Sequence, residues 1–218
     1  MKNYILFTAF IFSIHFSIAQ EESPADGQFV KLHDNGMIQE MGHYESGKLE
    51  GTFIKVDKAG YVKVQQEYTK GILNGIAKTY SSGARVKKKE TYENGVLNGA
   101  VKKYYRNSKI QENGTYKNGE RDGITTWYFD NGKPSIEYTY RDGQMEGPQK
   151  AWYKTGELQS QATAKNGKTE GDFVEYHVSG KVKTEGIYKQ GEKHGTWKTY
   201  DEDGKVIETI KYNMGEKK

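Results

Sequence analysis

Few side chains in this sequence could do chemistry. Beyond residue 19 the histidines are His33, His43, His177 and His194. They occupy unrelated positions in the chain's repeat and at no spacing that would converge imidazoles on a metal. Asp201-Glu202-Asp203-Gly204 resembles the start of a calcium loop, but such a loop needs further oxygens and a bidentate Glu at a fixed distance. A hairpin turn accounts for it. Gly-x-x-x-Gly recurs and could cradle a phosphate, yet a phosphate loop opens a helix, and no helical period follows any of these glycines. The carboxylate pair Glu21-Glu22 lies in the polar start of the chain. There is no cysteine, which excludes disulfides, thiolate catalysis, Cys-ligated zinc and an acylated cysteine anchor. A catalytic site would be a local exception to the repeat, and none is found. The expectation is a non-catalytic chain with no metal site and no cofactor.

Binding chemistry is better represented. From Lys78 to Lys109 the chain carries Lys78, Arg85, Lys87, Lys88, Lys89, Lys102, Lys103, Arg106 and Lys109 against Glu90 and Glu93. Arg85, Lys87, Lys88, Lys89, Lys102 and Lys103 form the candidate anion-binding patch. On a strand, Lys87 and Lys89 would share one face and Lys88 the other, which splits the charge. A solvated sheet edge explains the same residues without a ligand. Trp127 stands one place off a column of aromatic residues and would face the other way, making it the candidate for stacking on a sugar ring.

What must position these groups is a repeat. Tyr44, Tyr68, Tyr92, Tyr116, Tyr140, Tyr188 and Tyr212 fall on a 24-residue lattice, with Ala164 in the remaining slot. Gly47, Gly71, Gly95, Gly119, Gly143, Gly167, Gly191 and Gly215 follow three residues later, and Gly51, Gly75, Gly99, Gly123, Gly147, Gly171 and Gly195 follow seven later. Each unit reads as a β-hairpin. A run after the second glycine ends in Tyr80, Tyr104, Tyr128, Trp152, Tyr176 or Tyr200. A polar turn follows, and a second run returns to the lattice tyrosine. Side-chain alternation predicts that residues six before, two before and at the tyrosine share one face. The first of these sets (Ile38, Val62, Val86, Ile110, Pro134, Leu158, Val182, Val206) is apolar throughout; the second is often small, as at Gly42, Gly114, Ala162 and Gly186. Asn94-Gly95, Asn118-Gly119, Asp142-Gly143 and Asn166-Gly167 predict type I′ turns at one edge, and Asn131-Gly132 and Asp203-Gly204 predict the same at the other.

Composition agrees. The 218 residues are only 34% hydrophobic but hold 26 glycines and 17 tyrosines, as a thin β-structure covered by rings would. The net charge of +4 does not call for nucleic acid. Residues 1–19 read as a signal peptide: Lys2, an apolar run from Ile5 to Ile18, and Ser17-Ile18-Ala19 before the cut. Polar EESPADG follows, so residues 20–26 form a short flexible segment and residues 27–218 the repeat array. No second apolar run predicts a membrane span in the mature chain. The expected location is periplasmic or secreted.

The phrase Tyr-x-x-Gly-x-x-x-Gly followed by a hairpin, as in YKNGERDGITTWYFDNGK from Tyr116 to Lys133, resembles the MORN repeat in its bacterial variant form. The resemblance covers residues 27–218. It departs from the pattern where AVKKYYRNSK lacks its turn glycine, and at Ala164. It implies an all-β fold: an elongated single-layer antiparallel sheet of stacked hairpins, used for non-catalytic binding or scaffolding. Eight hairpins would give about 16 strands and a ladder of about 75 Å, coiled by strand twist. The expected partner is another envelope or extracellular protein. Anionic lipid, carbohydrate or acidic polysaccharide at a cell surface is the alternative, and nucleic acid is not expected.

Overall fold

The computed structural model describes residues 25–218. The expected leader, residues 1–19, lies outside them, as do residues 20–24 of the short polar segment. Among the described residues there is no helix, hence none long and apolar enough to cross a membrane. One antiparallel sheet holds twenty strands. Three two-residue strands, Lys48–Leu49, Ile72–Leu73 and Glu120–Arg121, continue past one residue into Gly51–Val56, Gly75–Tyr80 and Gly123–Tyr128. That leaves sixteen full strands and the terminal stub Glu216–Lys217. Every strand pairs with its neighbours in sequence, so the sheet is a meander in a single layer.

The turns explain the 24-residue period. Asn94 and Gly95 have φ of 49° and 81°, the two positive values that a type I′ turn requires. Ser46, Lys70, Gln190 and Met214 adopt the same left-handed conformation before their glycines. Each turn is then hooked to its predecessor. The Gly119 amide donates to the Leu97 carbonyl at 2.9 Å, and the Gly143 amide to Arg121 at 3.0 Å. Side chains repeat the link, as where the Asn166 amide donates to Glu146 at 2.8 Å. An insertion in any unit would put these donors out of reach of their acceptors.

The opposite edge differs from expectation. At Asn131-Gly132 only the glycine has positive φ, 91°. The Gly132 amide donates to Phe129 and the Phe129 amide to Lys133, which closes a three-residue loop in place of a type I′ turn. The missing glycine is filled by Ser108, itself at φ 65°, whose amide donates to Tyr105 at 2.9 Å.

A second correction follows from this edge. Every hairpin carries a β-bulge where its second strand begins: Thr79 pairs with Lys88, but Tyr80 pairs with Val86. The extra residue shifts the alternation. Val86 therefore sits with Tyr80, away from the face of Tyr92. Val62, Ile110, Pro134, Leu158, Val182 and Val206 are likewise paired with Val56, Tyr104, Tyr128, Trp152, Tyr176 and Tyr200. The apolar set thus packs beside the aromatic column, and only the last two sets share the tyrosine face.

On that face the second glycine of each unit lies opposite the next tyrosine, as in Gly75 with Tyr92 and Gly99 with Tyr116. The ring covers backbone that glycine leaves bare. One row over, small residues lie between large ones: Gly42 between Phe29 and Phe53, Gly186 against Trp197. Few side chains are fully buried in so thin a sheet; the hydrophobic ones are Ala77, Val101, Ala164 and Trp197. Ala164 is 2% exposed, so its rung is closed without a ring.

Candidate binding surface

The basic segment, Lys78 to Lys109, occupies Gly75–Tyr80, Val86–Glu93 and Val96–Tyr104, three adjacent strands. Alternation divides its cations between the faces, and the two groups have different surroundings.

On the tyrosine face every lysine of the segment has a carboxylate. Lys88 Nζ lies 2.9 Å from Glu90. Lys103 Nζ lies 2.8 Å from Glu112, which also takes Arg121 at 2.7 Å. Glu112 is only 3% exposed. Burial pushes its carboxyl up, but the hydrogen bonds from Lys103 and Arg121 outweigh this and hold it below the ordinary value. The Arg121 guanidinium also lies 5.2 Å from the ring centres of Tyr116 and Trp127 and 5.6 Å from that of Tyr140. Trp127 does turn away from the aromatic column, but onto this packed face. It is half-buried, edge-on to Tyr138 at 5.7 Å. One of its ring faces is thus already taken by a cation.

The other face is different. Lys78 pairs directly with Lys89, and Lys89 with Lys102. Three lysines on adjacent strands form a row along the sheet, extended by Gln65 at one end and Asn113 at the other. Among the described residues no carboxylate lies within ion-pair distance of any of the three. The nearest in register are otherwise engaged: Glu67 accepts from the Ile76 amide at 2.8 Å, and Glu93 from Asn98. Like charges directly opposite on a sheet face destabilise it. Tyr80 and Tyr104 flank the row on one side and Ile76 and Ala100 on the other, two residues along the same strands. Lys87 is exposed at the bulge. Arg85 is at the turn, where its guanidinium donates to the Arg106 carbonyl at 2.8 Å.

Of the six expected patch residues, then, Lys89 and Lys102 stand in one row, Lys87 borders it, Arg85 lies at the edge, and Lys88 and Lys103 face the other way. Lys78 completes the row. Glu112 and Arg121 went unrecognised in the sequence. Arg121 occupies a slot that is Leu49, Leu73, Leu97 and Met145 in four units and Thr169 and Lys193 in two later ones, and its departure from the flanking Leu97 and Met145 was the available signal.

His33, His177 and Asp201 hold the backbone of the repeat, whereas His194 Nδ1 is buried without a hydrogen-bond partner among the described residues. His33 and His177 turn out to hold equivalent places: each ring nitrogen bonds a carbonyl 23 residues on, Val56 and Tyr200, at 3.0 Å. Tyr105 and Tyr153 make the same link through their hydroxyls, to Tyr128 and Tyr176. In the Asp201 turn, the carboxylate Oδ1 accepts the backbone amides of Asp203 and Lys205 at 3.0 and 2.9 Å, so that oxygen serves the hairpin.

A family model described as a MORN repeat variant matches residues 97–118, 121–142, 145–166 and 193–214. No curated protein matches the chain. Among solved structures, a Tc holotoxin pore of Photorhabdus luminescens is similar over 86% of this chain, at 11% identity and a TM-score of 0.18. This chain spans 13% of the length of that one.

Proposed function

The chain belongs to the MORN-repeat family, and from that premise we propose an exported, non-catalytic protein-interaction or scaffold module that works through its lysine face. Its partner is another envelope or extracellular protein with an acidic surface. One observation carries the reading: the tyrosine face neutralises Lys88 and Lys103 internally, whereas Lys78, Lys89 and Lys102 stand unneutralised at a cost to the sheet. A charge arrangement that opposes folding is accounted for by what it offers a partner. A single-layer sheet suits this role because it exposes a long surface on little core.

Site-specific photo-crosslinking tests it. A crosslinking side chain at Ala100, exposed beside the lysine row, should trap a discrete protein in envelope preparations. The same group at Ser160, in register with Ala151 on the tyrosine face, should not. Equal capture from both positions, or from neither, refutes the assignment.

A further inference from the structure

The lysine row has a spacing, and the spacing selects an occupant. Directly paired residues on adjacent strands have Cβ atoms about 4.5–5.5 Å apart, so Lys78 to Lys102 covers roughly 9–11 Å in two steps. On an α-helix, residues i and i+4 lie about 5–6 Å apart, and i to i+7 rises about 10.5 Å. An extended chain presents alternate side chains every 6.6–6.8 Å or so, which overshoots the row at each step. An added strand would in any case seek a sheet edge, where backbone groups are open, and the row lies in the middle of a face.

We propose that this face receives a partner helix bearing an acidic stripe at i, i+4 and i+7, its carboxylates meeting Lys78, Lys89 and Lys102. The inference rests on the lysine face being the working surface and specifies what docks there. The helix axis runs across the strands, along the row. Tyr80 and Tyr104 on one side and Ile76 and Ala100 on the other meet apolar residues bordering the stripe, so the helix is amphipathic. Gln65 and Asn113 cap the row with side-chain amides, although the Gln65 oxygen already accepts from the Tyr80 hydroxyl at 3.0 Å. A planar anionic membrane is a poorer fit, because the same row continues past Asn113 and Thr126 to Glu137.

The test uses two synthetic helical peptides of about 18 residues, long enough to hold helix. One has Glu at i, i+4 and i+7. The other has the same composition with Glu at i, i+2 and i+5, off one face. At low salt the striped peptide should bind at least about tenfold tighter than its isomer. Lys89→Glu should weaken it about tenfold, and a peptide with Lys at the central stripe position should restore binding to that variant. Lys89→Glu places a carboxylate between Lys78 and Lys102, so its denaturation midpoint should rise and lost binding cannot be ascribed to unfolding. Lys102→Gln serves as a milder second variant. Equal affinity for both peptides, or failure of the charge-swapped peptide to rescue, overturns the helix. So does binding of uronate hexasaccharides or phosphatidylglycerol vesicles in the absence of peptide binding. If Ala100 still crosslinks a discrete protein when the peptides fail, the helix falls and the scaffold reading stands; if both fail, both fall.

Discussion

Replacing Gly186 by alanine puts one methyl group into the closest contact that any glycine of the described residues makes with a ring. The new Cβ would meet Trp197 Cδ2, Cε2 and Cγ at 2.3, 2.4 and 2.6 Å, roughly an ångström inside normal contact. The indole has little room to retreat. It is 4% exposed, stacked on Phe173 at 5.5 Å, edge-on to Tyr188 at 5.1 Å, and covered by the Lys193 ammonium at 4.2 Å. Overpacking of this kind costs about 1–3 kcal/mol, and the rigid surroundings place this case near 2–3 kcal/mol. Gly186 has no positive φ, so the effect is steric alone. The sign should therefore reverse once the ring is gone. In a Trp197→Leu background the alanine should stabilise by about 0.5–1 kcal/mol, the ordinary advantage of alanine over glycine in a strand. Because repeat arrays unfold piecewise, the readout is hydrogen exchange at the amides of Val182–Lys189 and Glu192–Tyr200, compared across the four members of the cycle. An equal effect of Gly186→Ala in both backgrounds would falsify the nesting of rings on small residues as the basis of the sheet's packing.

Other outcomes follow from the same geometry. Ser108 holds φ 65° in a slot that is glycine in the other units except at Ala84, φ 59°; Ser108→Gly should stabilise by about 0.5–1 kcal/mol, seen as a melting point a few degrees higher. A lower melting point would mean the serine is not strained. Glu112→Gln leaves Arg121 and Lys103 without their carboxylate and should destabilise by about 2–3 kcal/mol, less than a fully buried pair because Lys103 remains 41% exposed. Since Glu112 titrates below the ordinary glutamate range when folded, its contribution is complete above that ordinary range and is lost as pH falls through the lowered folded value. Acid unfolding of Glu112→Gln should accordingly be shallower than that of the parent; identical pH profiles would remove Glu112 from the account.

The sequence by itself determined the repeat and its strands. The fixed 24-residue interval, the tyrosine lattice and the Asn-Gly and Asp-Gly pairs are local signals, because turn conformation depends on residues adjacent in the chain. They were enough for a sixteen-strand meander with type I′ turns along one edge. They also placed Lys89 opposite in facing to Lys88, since alternation is local as well. Register across strands is not local, and it decided the rest. The bulge that moves Val86 from beside Tyr92 to beside Tyr80 depends on how the second edge closes. The alignment of Lys78, Lys89 and Lys102 depends on the register of three consecutive strands, which the bulge and the turns between them set. The same holds for Glu112, whose neutralisation of Lys103 and Arg121 gives the tyrosine face its closed charge balance. Which cations are left open to a partner is a property of pairs, and pairs exist only once the sheet has formed.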